Sequence, residues 1–349
     1  MDKGINKNNL INLQESLEAL HDRRMPIGGT SSVENFGVKY DPIYESITSS
    51  ISNEGLRYIL SAMQPIPASS TFFLCKQGEF FSNDIICSIG LPLVFYFQGS
   101  VPLNIHIRSS SDLDILFIHS ENLYVPEEIY KYRYTRIGVS INEIILNIKN
   151  RVTDLFIKRN YSFRRNDKSI KVSNYLPVNV DIVPACWYHT KEYQRTGIDE
   201  EKGVTILKEH EFKLIQNYPF KHIGLVSRKN LIYNDKIGKC IRLLKNIKAD
   251  IPDSSTITLS SFDITSFVYY IPEYMPNFIR IDTNSDFSLA KCLYDYLQYI
   301  VSNESQFSLL RVPDQSRIIF DFPHKVHSLQ ILGENLNRIL KMINHPSYN

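Results

Sequence analysis

The chain has 349 residues, of which 43% are apolar and 22% are charged, a composition that excludes a disordered protein and is sufficient for a sizeable core. Its length is comfortable for two domains. Lys and Arg outnumber Asp and Glu by only 39 to 37, so a polybasic coat for nucleic acid is not expected, although a local basic patch is compatible with this balance.

Membrane and secretory segments are not expected either. The longest apolar run, residues 85–97, is too short to span a bilayer and is interrupted by Gly90 and Pro92. The first residues lack the pattern of a secretory signal. The five cysteines are dispersed, odd in number and form no Cys-x-x-Cys pair. We therefore expect a reduced, cytoplasmic protein without a structural zinc site.

The first half of the chain predicts a mixed α/β domain. Apolar residues at helical spacing predict helices over residues 9–21 and 42–63. Strands are predicted in "LVFYFQGS", "SSSDLDILFIHS" and "YLPVNVDIVPA", with a long amphipathic helix over residues 140–160 before the third strand. Strands that alternate with helices place this domain at residues 1–200.

The second half, residues 201–349, is predicted to be largely helical. The segment "KHIGLVSRKN" is expected to be extended and to join the two halves. Helices are then predicted over residues 234–248, 261–270, 289–302 and 328–343.

Two carboxylates lie one residue apart in the second predicted strand. Side chains alternate along a strand, so Asp112 and Asp114 project from the same face. Adjacent carboxylates repel each other unless a cation lies between them. Mg²⁺ suits this position, because it binds one or two carboxylates together with substrate phosphates. On this short pattern alone, a pair of solvated aspartates at a strand end remains an alternative.

Two further features favour a metal site. Gly99 and Ser100 end the preceding strand, where a glycine permits close approach to a phosphate and a serine offers donors to it. Asp181 lies in the middle of the apolar third strand, where a lone acid needs a partner. If that strand pairs with the strand of Asp112, three carboxylates could hold two cations about 4 Å apart, which would activate a hydroxyl and stabilise a leaving oxygen.

The ordered set "FQGS", "SDLDILFI" and "VNVDIVPA" resembles the polymerase-β-type nucleotidyltransferase superfamily. The later segments "IQNYPFKHIGLVSRKNLIYNDKIGKCIRLLKNIK" and "ITSFVYYIPEYMP" resemble one branch, the cGAS/DncV-like nucleotidyltransferases (CD-NTases), bacterial relatives of cyclic GMP–AMP synthase and oligoadenylate synthetase. The resemblance spans residues 90–280 and implies an α/β (α+β) fold: a polymerase-β-like core with a mixed sheet, and a helical C-terminal domain that closes the nucleotide cleft. Where the family often continues with Gly-Thr, this chain has Asn104 and Ile105, so either the phosphate loop or the handling of the nucleotide differs.

The resemblance implies an Mg²⁺-dependent, template-independent nucleotidyltransferase that joins NTPs into a cyclic oligonucleotide. Asp112, Asp114 and Asp181 would be the catalytic residues and the ligands of two Mg²⁺ ions, with Mn²⁺ as an alternative. The product would be a second messenger that activates a separate effector in bacterial anti-phage (CBASS) defence. Two alternatives remain open: a nucleotidyltransferase of the same fold that acts on a tRNA, antibiotic or protein acceptor, and a non-catalytic nucleotide or RNA sensor.

The second half also contains a basic segment. Residues 221–248 include eight Lys or Arg and one acid, and their apolar residues form a stripe at helical spacing. One interpretation of these basic residues is a solvated face. The other is that they bind the triphosphate of a nucleotide, if they lie opposite the carboxylate site. Gly99, Ser100 and Arg242 are predicted nucleotide contacts, and the resemblance implies that Lys245 and Ser266 contact the phosphates. By resemblance, Phe267 would stack on a base, although a core aromatic is the alternative.

A second basic segment, "RRNDKSIK" at residues 164–171, predicts a hairpin turn on a solvated surface, with contact to nucleic acid as the alternative. Binding to a long polyanion scales with the number of phosphates that are neutralised. Because little basic surface remains for a duplex, we expect no obligatory duplex nucleic-acid activator.

Overall fold

The computed structural model describes residues 9–24, 42–107, 111–125, 140–321 and 323–344. The chain divides into two compact units. Residues 69–103 and 111–225 form the sheet unit, and the remaining residues form the helical unit. Within the ranges that the structure describes, no helix combines the length and the apolar character needed to cross a membrane.

The described residues form the following helices, in chain order: α1 (Leu13–Arg24), α2 (Pro42–Ser50), α3 (Glu54–Met63), α4 (Ala68–Ile89), α5 (Ile141–Lys158), α6 (Lys191–Thr196), α7 (Pro219–Ile232), α8 (Lys236–Asp250), α9 (Ser261–Val268), α10 (Ile271–Tyr274), α11 (Asp286–Ser302), α12 (Glu304–Phe307) and α13 (Pro323–Asn344). The strands are β1 (Leu93–Gln98), β2 (Leu113–Tyr124), β3 (Ser162–Arg165), β4 (Ile170–Ser173), β5 (Val180–Tyr188), β6 (Gly203–Lys208) and β7 (Lys213–Asn217).

All of these strands belong to one mixed sheet in the sheet unit. Their order is β1-β2-β5-β4-β3, and β6 joins β5 and β7. The first half of β5 pairs with β4 and its second half with β6, while β2 runs parallel to β5 along the other side. The remaining pairs are antiparallel. The central strand β5 therefore has neighbours on both sides along most of its length.

The two faces of the sheet bury different cores. Leu113, Ile115 and Phe117 pack with the buried residues of α4 and α5. Leu116 and Ile118 pack on the opposite face with residues of β5 and β6. Successive residues of β2 thus point to opposite faces of the sheet, and both faces are buried. Asp114 lies on the same face as Leu116.

Helix α8 lies at the centre of the helical unit. It packs against α1, α3, α9, α11 and α13. The N-terminal helices join this unit through buried polar contacts: Arg23 forms an ion pair with Asp250 of α8, and Tyr58 donates a hydrogen bond to the same carboxylate at 2.6 Å.

The predicted fold class, α/β with a mixed sheet and many helices, is confirmed. Two predicted details differ from the structure. The segment "KHIGLVSRKN" is helical, within α7, rather than extended. The sheet continues through β6 and β7 to residue 217, and residues 9–24 and 42–63 belong to the helical unit, so the units do not divide at residue 200.

Candidate active site

A row of polar residues crosses five strands of the sheet. Gln98 pairs with Asp114, Asp114 with Asp181, Asp181 with Lys171, and Lys171 with Arg164. Directly paired residues of neighbouring strands project from the same face. The row therefore lies on the face opposite the core that α4 and α5 cover, with two acids at its centre and two bases beside them.

The turn after β1 lies against Asp114. Gly99 has a φ of 74°, a left-handed conformation that favours glycine. A Cβ at this position would overlap the Oδ2 atom of Asp114 and would lie 3.3 Å from its Cγ. Gly99 is exposed and Ser100 is partly buried. The backbone of the predicted phosphate turn thus lies in contact with one of the predicted metal ligands.

Asp181 is partly buried, and it accepts a hydrogen bond from Ser169 Oγ at 3.1 Å. Burial raises the pKa of the Asp181 carboxyl above its ordinary value. The negative charge of Asp112 acts in the same direction, whereas the bond from Ser169 and the charge of Lys171 oppose it. A nearby cation would therefore relieve the cost of keeping this carboxylate charged.

Asp112 immediately precedes β2 and shares the face of Asp114. Lys171 Nζ donates to its Oδ2 at 2.5 Å, and Asn179 Nδ2 donates to its Oδ1 at 3.2 Å. The hairpin prediction for residues 164–171 is confirmed by β3 and β4. Its description as a solvated surface is incomplete, because Lys171 points to the carboxylates. Ser169, Lys171 and Asn179 were not predicted; the alternation of polar and apolar residues in β4 is the signal that could have indicated Lys171.

The donor set suits a hard divalent cation, because carboxylate oxygens are the preferred ligands of Mg²⁺. Within the described ranges, however, no three side chains of His, Cys, Asp or Glu are arranged to hold a metal ion as they stand. Asp112 is paired with Lys171 instead. The residue types therefore fit a metal site, but the Asp112 side chain is oriented toward Lys171 in an ion pair.

The predicted phosphate cations of the helical unit are both buried. Arg242 donates through Nε to the carbonyl of Met63 at 2.6 Å and through Nη1 to that of Asn104 at 2.9 Å, and it forms an ion pair with Asp235. Lys245 donates to the carbonyl of Ile105 at 2.8 Å. These side chains hold the segment that follows the turn of Gly99 and Ser100 along the chain.

Ser266 and Phe267 are also buried within the helical unit. Ser266 Oγ donates to the carbonyl of Phe262 at 2.7 Å. The ring of Phe267 is stacked on that of Phe320 with centroids 6.2 Å apart, and its carbonyl accepts a hydrogen bond from Tyr296. This packing favours the core-aromatic alternative for Phe267, because the buried ring leaves no face for a base.

Several known proteins are similar to this chain, although no family model matches it. A cyclic dinucleotide synthase CdnE from Yersinia aleksiciae is 31% identical over 297 residues, which cover 82% of this chain and 76% of the relative. A c-di-GMP synthase from Lachnospiraceae bacterium (strain RUG226) is 24% identical, covering 84% of this chain and 90% of the relative. The solved structure of a STING-associated CdnE c-di-GMP synthase from Capnocytophaga granulosa has a TM-score of 0.72 and 25% identity, covering 95% of this chain and 98% of that one.

The mixed sheet and its aspartate-bearing strands, together with these similarities, define a nucleotidyltransferase. The chain belongs to the CD-NTases, the nucleotidyltransferase family that includes the CdnE cyclic dinucleotide synthases. The predicted family, enzyme class and cyclic-nucleotide synthesis are thereby confirmed. Members of this family generally use divalent metals.

Proposed function

We propose that this protein joins two NTPs into a cyclic dinucleotide, with GTP as the first substrate to test. The observation that carries the proposal is the register of the sheet: Asp114 and Asp181 are paired across β2 and β5, and Asp112 lies on the same face. The contact of Gly99 with Asp114 brings a turn able to approach phosphate to the same carboxylates.

In this proposal Asp112 and Asp114 hold two Mg²⁺ ions and Asp181 completes the site nearest the attacking hydroxyl. The bound ions would supply positive charge for the attacking and leaving oxygens of a phosphoryl displacement. Ser169 holds one oxygen of Asp181. In this proposal the Asp181 carboxylate also helps to accept the proton of the attacking ribose hydroxyl.

The other predicted nucleotide contacts have different proposed roles. Ser100 offers its amide and hydroxyl to the phosphates of the NTP. Arg242 and Lys245 act indirectly, because they hold the carbonyls of Asn104 and Ile105, and these residues belong to the segment between the turn and Asp112. Ser266 and Phe267 support the core of the helical unit rather than contact the nucleotide.

The choice of GTP rests on the relatives. Three curated relatives, which are 24–28% identical to this chain, are named c-di-GMP synthases. Another relative, from Staphylococcus schleiferi, is named a cyclic GMP-AMP synthase and is 28% identical over 52% of this chain. We therefore place c-di-GMP first and a mixed guanine–adenine product second.

The proposed cellular role rests on the family of the protein. A cyclic dinucleotide has no free phosphate end, and its proposed role is to activate a separate effector in the cytoplasm during bacterial anti-phage (CBASS) defence. The relative from Capnocytophaga granulosa is described as STING-associated, which supports a role in such signalling.

The test is incubation of the purified chain with all four NTPs, with and without Mg²⁺ or Mn²⁺, followed by mass spectrometry of the products. A cyclic product that forms without an added acceptor and requires the metal is the expected result. The matched control is Asp114→Asn, which keeps the size of the side chain and removes its charge. Release of pyrophosphate only when a tRNA, antibiotic or protein is added would favour the alternative enzyme class, and no release under any condition would favour a sensor.

A further inference from the structure

The β3–β4 hairpin is connected to the rest of the sheet unit by one buried lysine and by partly buried ion pairs. Lys149 of α5 is buried and donates to the carbonyls of Asn166 and Asp167, at 2.5 and 2.9 Å. It also pairs with Glu209 at 2.7 Å, and Arg165 of β3 pairs with the same carboxylate. These contacts fix the β3 end of the hairpin turn, and β4 itself pairs with β5 in the sheet, so the position of β4 beside β5 is well determined.

This fixed strand presents Lys171 to two carboxylates on different strands. In the ladder Lys171 is paired with Asp181, and its ammonium reaches Asp112 at 2.5 Å. The side chains of Lys171 and Asp112 are 33% and 28% exposed. The ion pair is therefore only moderately strong and can be exchanged for another partner.

A divalent cation at Asp112 would compete with Lys171 for the same oxygen, because two cations cannot both occupy the position in front of Oδ2. After such an exchange the ammonium remains anchored on the same face by the ladder and needs a new anion. The polyphosphate of a nucleotide offers one, since Lys is a common point-charge partner of phosphate.

We propose that Lys171 is a positioning residue that occupies Asp112 until a divalent cation and a nucleotide phosphate bind together. The proposal rests on the function proposed above and deepens it. A cation alone must displace the lysine, whereas a cation that arrives with a nucleotide gives the lysine a new partner. Lys171 thereby makes the binding of metal and nucleotide cooperative.

The experiment measures metal binding rather than product. Thermal shift gives the Mn²⁺ concentration at half-saturation, without nucleotide and with a GTP analogue whose α- and β-phosphates are joined by a methylene group. Without nucleotide, we expect the half-saturating Mn²⁺ concentration of Lys171→Met to be about fivefold lower than that of the wild type. This corresponds to about 1 kcal/mol of Mn²⁺ binding free energy. The factor by which the analogue lowers the half-saturating Mn²⁺ concentration should then be about fivefold smaller in Lys171→Met than in the wild type.

Two variants serve as controls. Lys168→Met removes an exposed lysine from the same hairpin and should leave half-saturation unchanged, and Lys171→Arg keeps the charge and should behave like the wild type. If Lys171→Met does not fold, Lys171→Gln replaces it. Unchanged or weaker Mn²⁺ binding in the Lys171 variant, or an equal shift in Lys168→Met, would overturn the proposal. Because no turnover is needed, its failure is distinguishable from the absence of a cyclic product.

Discussion

Gly99→Ala tests whether the turn after β1 holds Asp114 in place. The new Cβ would overlap the Asp114 carboxylate, so this side chain would have to move. The left-handed backbone adds a cost of about 1–2 kcal/mol, of which about 0.4–1 kcal/mol is offset by the lower entropy of the unfolded chain. Since a displacement of about 1 Å at a reacting centre can lower the rate about a hundredfold, we expect a loss of that order in product formation.

Gly90→Ala provides the matched control. Gly90 has a φ of 63°, close to that of Gly99, and a Cβ there would meet no atom within 4 Å. The backbone cost should therefore be similar, about 1 kcal/mol after the same offset. Activity should stay near that of the wild type, because no carboxylate lies beside this position.

The assay is thermal melting of both variants together with the rate of product formation from NTPs. We expect Gly99→Ala to lose at least as much stability as Gly90→Ala, because it also displaces Asp114, and we expect a loss of activity in Gly99→Ala alone. Equal activities of the two variants would refute the reasoning, because the contact between Gly99 and Asp114 would then be irrelevant to catalysis.

Four further outcomes are expected. Asp112→Ala combined with Asp114→Ala should abolish turnover and leave the melting temperature without metal near that of the wild type, since relief of the repulsion between the carboxylates offsets the loss of the partly exposed ion pair with Lys171; residual product, or failure to fold, would contradict a role in metal binding. Asp181→Asn should lower turnover at least about a hundredfold without lowering the melting temperature in the absence of metal, because its buried charge is costly; unchanged turnover would make it a structural strand residue. Lys245→Ala should lower the free energy of unfolding by about 1–3 kcal/mol, as denaturant titration would measure, because it leaves the carbonyl of Ile105 without this donor; a neutral effect would show that the bond is dispensable. Long duplex DNA or RNA should not stimulate turnover at low or moderate salt; strong, salt-sensitive stimulation would instead assign the basic hairpin to nucleic acid.

Strand β1 and the two strands that carry Asp114 and Asp181 could be predicted because each contains its own signal. Residues 93–98, 113–124 and 180–188 are rich in β-branched and aromatic residues, and turn residues precede or follow them. Helices α4 and α7 lack such a signal. Helix α4 contains Ser, Thr, Phe, Cys and Gly78, which are weak helix formers, so burial against the sheet decides its structure. In α7, the Gly and Val within "KHIGLVSRKN" lower the helix propensity, and Val226 is buried in the folded chain.

In the candidate active site, too, only the features that depend on local sequence could be predicted. The shared face of Asp112 and Asp114 follows from the spacing along one strand, which is local information. The partner of Asp112 is not local, because Lys171 reaches it through the pairing of β4 with β5 and of β5 with β2. The burial of Arg242 likewise depends on carbonyls far away in the chain, at Met63 and Asn104. A basic residue beside an apolar stripe gives no indication of such partners.

The three aspartates are anchored unequally in the sheet: two have a fixed backbone geometry and one has an adjustable geometry. Asp114 and Asp181 lie inside β2 and β5, where ladder hydrogen bonds determine the distance between their backbones. Asp112 lies outside the ladder, one residue before β2 begins. In the proposed metal site, the two carboxylates on the rigid sheet would define where a cation sits, and the third, at the strand end, would adapt as substrates and products of different size pass through. A site that must act twice to close a ring gains from this arrangement, because it can accept a mononucleotide and then a linear intermediate without movement of the sheet.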